Sequence, residues 1–187
     1  MAHIEKYTRN DILTYTNKRF DPWQIVPEDV DVRDIAHALS LMTRANGHLA
    51  HFYSVAQHSV NCALEAKARG HSPRVQLGCL THDAAESYIS DITRPVKHRL
   101  EGYKEVEERI LSVVWQSFGL GDITGEEKRK VFEIDDAVLY HEFFALKNAC
   151  LRPEMPDMAM EHDFSQRDMC EVEAQYLTMF KALALEV

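Results

Sequence analysis

The stretch 72-SPRVQLGCLTHDAAESY-88 decides how the chain is read. Ser72 followed by Pro73 marks a helix start. A serine hydroxyl caps free backbone N–H groups, and proline's fixed φ suits the first helical position, where a missing N–H costs nothing. Val75, Leu77, Cys79 and Leu80 then supply an apolar surface, and the pattern predicts one helix running through His82-Asp83 to about Tyr88. On the helical period Val75, Gly78, Cys79 and Ala85 share the face of His82. An imidazole and a carboxylate set among small apolar residues cost free energy unless they are paired or ligate a metal. Glu86, four residues after His82, adds another acid to that face.

The same reading extends outward. Upstream, Asp31 caps a helix through Ile35, Ala38, Leu39 and Met42, which Asn46-Gly47 stops. Ser54 opens the next, with Gln57 completing a capping box, Val55, Ala56, Val60, Ala63 and Leu64 inward, and Gly70 at its end. Downstream, residues 89–95 read as a loop in which Pro95 holds Arg94 extended, and a short helix covers Pro95 to Leu100. Residues 103–118 are amphipathic, with Val106, Ile110, Val113, Val114 and Phe118 inward and Gly119 closing the helix. Thr124 caps a long helix to about Cys150, Pro153 and Pro156 break the chain, and a last helix covers roughly 166–184. Residues 11–21 alternate around Asn17 and fit a short N-terminal hairpin or an extended arm. There is no internal repeat, linker or low-complexity tract. The expected fold is all-α, a single compact bundle of six or seven helices.

Composition agrees with this picture and narrows the function. A chain of 187 residues is one domain of ordinary size, and a hydrophobic content of 45% argues against global disorder. The low counts of glycine (7) and proline (6) favour helices. A formal net charge of −9 argues against binding a nucleic-acid polymer, which needs a basic stripe. It leaves room for a small phosphorylated ligand held by a metal and a few local cations. Cys62, Cys79, Cys150 and Cys170 form no C-x-x-C pair and read as buried free thiols in a reducing cytosol. Met1 to Asp11 carry no apolar signal core, and no segment approaches the ~20 apolar residues of a membrane span. A soluble, cytoplasmic protein without a membrane partner is expected, with a homodimer as a candidate assembly.

The donors that suit a metal lie at His58, at His82-Asp83, and at one acid of the pair Asp135-Asp136. His58 shares its face with Val55 and Cys62. Asp136 has Phe132, Leu139 and Phe143 on its face, whereas Asp135 has Val131 and Val138, and periodicity alone does not choose between them. Two imidazoles and two carboxylates gathered between helices suit Mn, Fe, Co, Ni or Zn better than Mg or Ca. A His-Asp dipeptide by itself is weak evidence. The chain has a second one, His162-Asp163, which lies among polar residues (161-EHDFSQRD-168) and reads as surface or helix-cap chemistry. His48 and His51 either line a pocket or simply pack. Arg44, at a helix end, matters only if that end faces the metal.

Three runs then carry a resemblance: 53-YSVAQHSV-60, 82-HDAAESYISDITRPVK-97 and 134-IDDAVLYHE-142. Together they resemble the HD-domain phosphohydrolases, most of all their 5′-deoxynucleotidase branch, the YfbR-like and YfdR-like proteins. The likeness extends over roughly residues 28–150 and includes 44-RANGHLAHFYSVAQH-58. It implies one HD-type domain over 1–187, with a core at about 28–150 and a C-terminal helix at about 166–184. It implies one divalent transition metal ion on His58, His82, Asp83 and Asp136, thereby selecting Asp136 over Asp135. Glu86 and Asp91 fall at the catalytic acids, Arg44 at the phosphate-orienting arginine, and Asp91, Ile92, Thr93 and Arg94 at the loop that touches substrate. The branch places a tryptophan near the sugar where this chain has Ala45.

The activity so implied is removal of phosphate from deoxynucleoside 5′-monophosphates. Glu86 would act on the attacking water, Asp91 would protonate the leaving oxygen, and Lys97 would add a further cation. The alternatives are a deoxynucleoside triphosphate triphosphohydrolase, an enzyme for cyclic or signalling nucleotides, and a catalytically silent module with a structural metal. Structural sites are usually closed by four Cys or His ligands, whereas this set is rich in carboxylates with acids to spare.

Overall fold

A computed structural model describes residues 9–187; of the N-terminal stretch read as free of a signal core, residues 1–8 lie outside the described residues. The chain opens on a two-stranded antiparallel hairpin, β1 (Ile12–Leu13) and β2 (Arg19–Phe20), with Ile12 opposite Phe20. Asn17 takes the left-handed conformation that the reversal needs (φ 65°), a conformation asparagine tolerates better than most residues. The hairpin is anchored on the next helix: the Thr16 backbone N–H and hydroxyl both donate to Asp34 (2.6 and 2.9 Å).

Helices α1 (Val32–Leu41), α2 (Val55–Ala68), α3 (Pro73–Thr81), α6 (Tyr103–Ser117), α7 (Gly125–Lys147) and α8 (Met169–Ala184) make the body, with short turns α4 (Glu86–Ile89) and α5 (Arg94–Lys97) between them. Their starts are the ones the caps encode. The Asp31, Ser54, Ser72 and Asp168 side chains each accept a backbone N–H in the first turn, and Thr124 and Glu127 form a reciprocal capping box. At Ser54 the box is only half made. The hydroxyl accepts from Gln57 N (3.1 Å), but the Gln57 side chain reaches instead to the C-terminal segment. Gly70 and Gly119, both with positive φ, end α2 and α6.

Helix α2 is buried over most of its length and lies against α3, with α7 and α8 each packed on both and α1 packed on α2 and α8. Ile35, Leu39, Val55, Leu77, Leu80, Ile110, Ile134 and Tyr176 fill the space between them. The approach of α3 to α7 is close enough to require glycine. A Cβ on Gly78 would stand 2.9 Å from Val131 Cγ2, inside the contact distance of two carbons. That proximity brings the end of α3 onto the middle of α7, where the acidic pair lies.

Three readings of the sequence are corrected here. Helix α3 does not run to Tyr88; it stops at Thr81, and the chain passes through turns to the short α4. Arg94 does not end an extended loop but opens α5, with Pro95 second. Cys62 and Cys79 are buried, but Cys150 and Cys170 are exposed; all four are free. Helix α7 ends at Lys147, so Cys150 lies beyond it, and Cys170 sits in the first turn of α8. Among the described residues no helix is long and apolar enough to cross a membrane.

The Gly78 contact is open to a direct test. In an α-helix Gly→Ala normally gains about 1 kcal/mol, while overpacking costs about 1–3 kcal/mol. Gly78→Ala is therefore expected to lower the melting temperature, and the same change in a Val131→Ala background to raise it, read by thermal denaturation of the four proteins.

Candidate metal centre

The His-Asp pair sits where α3 gives way, and the His82 side chain helps to end the helix. Thr81 Oγ1 donates to Leu77 O (2.8 Å), and His82 Nδ1 donates to Cys79 O (2.7 Å), the carbonyl a continued α-helix would give to Asp83 N. The chain tightens to three-residue hydrogen bonds, Ala84 N to Thr81 O and Glu86 N to Asp83 O. Trp115 Nε1 pins the turn by donating to Thr81 Oγ1 (3.0 Å).

His58, on α2, is fully buried opposite this turn. Its Nε2 lies 3.3 Å from His82 Nε2, 3.1 Å from Asp135 Oδ1 and 3.9 Å from Asp83 Oδ2. His82 Nε2 lies 3.4 Å from Asp83 Oδ1 and 3.5 Å from Asp135 Oδ1. Each imidazole is fixed from behind. His58 Nδ1 donates to Glu142 Oε1 (2.7 Å), as His82 Nδ1 donates to a carbonyl that can only accept. In the neutral form both Nε2 atoms are therefore bare lone pairs, facing each other with two carboxylates around them. Four electron-rich donors converging without a hydrogen between them is what a cation stabilises, and the ring partners are those that orient metal-bound histidines. The donor set fits a divalent transition metal.

Cys62, one turn after His58, also belongs to a group of donors within 4.8 Å of one another with His58 and His82. Its sulfur is 3.5 and 3.9 Å from the two nitrogens of the His58 ring, so it lies along the lone pair of neither. Burial pushes its thiol up to about 11. Without a metal it packs on the imidazole as a neutral thiol, while Asp135 Oδ1 faces both imidazoles at 3.1 and 3.5 Å.

The expectation at Asp136 is corrected. Asp135 turns toward the two imidazoles, whereas Asp136 is half-exposed and binds Arg94 Nη1 (2.8 Å). The reason lies in α7. Phe132, Leu139 and Phe143, the stripe that Asp136 shares, line an open cavity, whereas Val131 and Val138, beside Asp135, are buried in the core, and Glu142, also buried, reaches the cavity edge. Glu142 is a residue the sequence reading missed. It is buried, lies seven residues after Asp135 on the same face, and holds His58 Nδ1.

Arg44 faces the site. Residues Ala45, Asn46 and Gly47 all take left-handed conformations (φ 51°, 52° and 76°), a tight reversal that swings the chain back so that Arg44 N donates to Tyr53 O (2.9 Å). The guanidinium, buried, donates to Asp83 Oδ2 (3.1 Å) and lies 3.7 Å from Glu142 Oε2. His48 and His51 are outside the cluster: His48 is exposed, and His51 hydrogen-bonds Phe164 O (2.9 Å). His162, read as surface chemistry, has a buried side chain paired with Glu65 (2.9 Å), far from these donors in the fold.

A cavity of about 660 Å³ opens over the cluster. Its polar floor includes Arg44, His82, Asp83, Glu86, Asp91 and Asp135, its rim Ala45, Ile92, Thr93, Arg94 and Lys97, and its apolar wall Leu111, Phe132, Leu139 and Phe143. Glu86 is buried with Oε2 unpartnered and Oε1 3.6 Å from Lys97 Nζ. Burial, with Asp83 and Asp91 alongside, holds its carboxyl well above the usual range, and burial also raises Asp91. The ligand acids go the other way. Burial opposes their charge, but His58 and His82 hold Asp135 well below the usual range, and His82, Arg44 and His58 hold Asp83 below it.

The profile of the HD domain family matches residues 37–147, a span that includes His58, His82, Asp83, Asp135 and Glu142. The chain belongs to the HD-domain family. It is similar to the uncharacterized protein YfdR of Escherichia coli K12, at 40% identity over 109 residues, or 58% of each chain. It is also similar to an uncharacterized protein of Rhodobacter capsulatus, at 34% identity over 128 residues, or 66% of this chain and 65% of that one. The match thus spans under two thirds of either relative.

Two outcomes follow for metal binding. Asp135→Asn is expected to lose bound metal on purification and Asp136→Asn to keep it, read by elemental analysis. Burial opposes a proton on either imidazole, but the neighbouring acids prevail and raise both His58 and His82 above the usual range. Loading must then displace protons. Metal affinity should rise with pH through and above the histidine range, with about one to two protons released per metal, as counted by calorimetry in buffers of different ionisation enthalpy.

Proposed function

We propose that the chain is a metal-dependent phosphohydrolase of nucleotide phosphate esters, with deoxynucleoside 5′-monophosphates as the leading substrate class. The observation that carries the reading is one cavity whose floor joins three of the metal donors, His82, Asp83 and Asp135, with His58 buried behind them, to a raised carboxyl pair, Glu86 and Asp91, and to the buried cation Arg44. A structural metal site needs neither the pair nor the opening. A divalent metal, when bound, supplies Lewis acidity and lowers the pKa of water.

The chain's own residues supply the rest. Hydrolysis forms one phosphorus–oxygen bond to water and breaks another to the leaving oxygen, so one proton must be taken up and one delivered. Asp91 disfavours the charge on Glu86, and burial raises both carboxyls, which suits the pair to taking up and giving a proton. Such a pair supplies both the acceptor and the donor. Arg44 is permanently charged and keeps donors beyond those used on Asp83, which suits it to phosphoryl oxygens as charge builds on them. Lys97 lies beside Glu86 and is held cationic by Glu107 and Glu86 against its own burial, so it adds positive charge at the same end.

The wall of Phe132, Leu139 and Phe143 suits a planar apolar group such as a nucleobase. Ala45 contributes only a methyl group to the rim, so no aromatic ring at that position reads the sugar. This supports acceptance of ribose as well as deoxyribose. One observation favours the triphosphate alternative: Lys97, Lys104 and Arg94 also line the cavity beyond Arg44, each paired with an acid that a phosphate could replace.

The test is a panel of ribo- and deoxynucleoside mono- and triphosphates with metal-loaded protein. Inorganic phosphate from monophosphates is expected; triphosphate release would move the assignment to the alternative, and no release from any substrate would leave a silent module. In the same assay Glu86→Gln is expected to keep its metal and lose about 10²–10⁴ in kcat. Loss of metal in that variant would make Glu86 a ligand.

A further inference from the structure

A ladder of polar side chains on α2 holds the C-terminal segment 157–165, which contains no helix or strand. Gln57, Asn61 and Glu65 succeed one another at one-turn spacing, and all three are buried. Gln57 Nε2 donates to the carbonyls of Asp163 (3.1 Å) and Ser165 (3.0 Å). Glu65 accepts from Ala159 N (2.7 Å) and Arg69 Nε (2.7 Å) and pairs with His162 Nε2 (2.9 Å). The segment lies beyond residue 147, where the family match ends.

The middle rung leads inward. Asn61 Nδ2 spends one hydrogen on Asp163 O (3.2 Å) and the other on the Tyr53 hydroxyl (2.9 Å). The Tyr53 hydroxyl, its oxygen already engaged as acceptor, stands beside the Glu142 carboxylate, whose Oε1 accepts from His58 Nδ1 (2.7 Å). Every member is sealed from solvent: Asn61 is 4% exposed, Tyr53 0%, Glu142 1% and His58 0%. Glu142 is thus held between Tyr53 and His58, with Arg44 Nη2 3.7 Å from its other oxygen. Without the tyrosine hydroxyl, Asn61 keeps a buried donor with no acceptor. Glu142 then loses the neighbouring hydroxyl that opposes its drift toward Arg44 and away from the imidazole.

We propose that Tyr53 and Asn61 are positioning residues of the metal centre, through which segment 157–165 sets how firmly His58 is aimed at the metal. The proposal rests on the reading of His58 as a ligand. Outer partners of metal-bound histidines typically change metal affinity by about tenfold to a hundredfold. Here the outermost partner is a stretch of chain that the family profile does not include.

The experiment uses the full chain and Co²⁺ as the probe, with affinity from calorimetry and the ligand field from the visible absorption of the Co²⁺ protein. Tyr53→Phe is expected to weaken Co²⁺ about tenfold and to shift the spectrum. Asn61→Leu, in case the first variant folds poorly, should move both readouts the same way. Val172→Ala, a core truncation on α8, serves as the comparison: it should lower stability while leaving affinity and spectrum as in the parent. Parental affinity and spectrum in Tyr53→Phe or Asn61→Leu would overturn the proposal. If the parent chain itself takes up no Co²⁺, the ligand reading of His58 fails first, and the proposal falls with it.

Discussion

Two imidazoles face each other across 3.3 Å with their other nitrogens already committed, and the rest of the molecule is arranged around that constraint. A pair of lone pairs pointed at one another is repulsive. Two carboxylates add to the negative potential of the spot. Burial removes the water that would screen it. Such a site is stable with a cation in the middle, or with protons borrowed in its place, and the raised histidines and depressed aspartates describe the second condition. Arg44, 3.1 Å from Asp83, supplies part of the missing positive charge from the side.

Three helices must converge to make that point. Helix α2 contributes His58 from a surface that is almost wholly buried, and α7 contributes Asp135 and, seven residues on, Glu142. The end of α3 contributes His82 and Asp83. Its approach to α7 depends on the missing side chain of Gly78, and its end coincides with the His82 ring taking the Cys79 carbonyl. The opening comes from the same place. Because α3 gives way to turns, Glu86 and Asp91 are delivered to the cavity floor on short, bent segments rather than continuing along a helix axis.

Much of this was legible in the sequence. The caps at Asp31, Ser54, Ser72 and Thr124 and the stops at Gly70 and Gly119 depend on local chemistry, so the helices begin and end close to where those residues put them. His58, His82 and Asp83 were legible because polar groups among small apolar residues require an explanation. The end of α3 was not: no glycine or proline marks it, and the captured carbonyl depends on a rotamer. Between Asp135 and Asp136 periodicity does not choose, and Asp136 comes from the resemblance; the structure turns Asp135, beside the buried Val131 and Val138, toward the imidazoles and leaves Asp136 half-exposed on Arg94. Glu142 was missed, and His162 was read as surface or helix-cap chemistry, because a single acid or imidazole carries no periodic signal when its partner is remote in the chain. The partners are His58, 84 residues away, and Glu65, 97 residues away.

The central claim is that nitrogen and oxygen, not sulfur, surround the metal. X-ray absorption at the zinc edge of the Zn²⁺-loaded protein tests it most directly. The account predicts a first shell of light atoms only, at about 2.0–2.2 Å, with the outer-shell scattering of two imidazoles. A sulfur contribution at about 2.3 Å would contradict it, because it would make Cys62 a ligand and displace a carboxylate from the site.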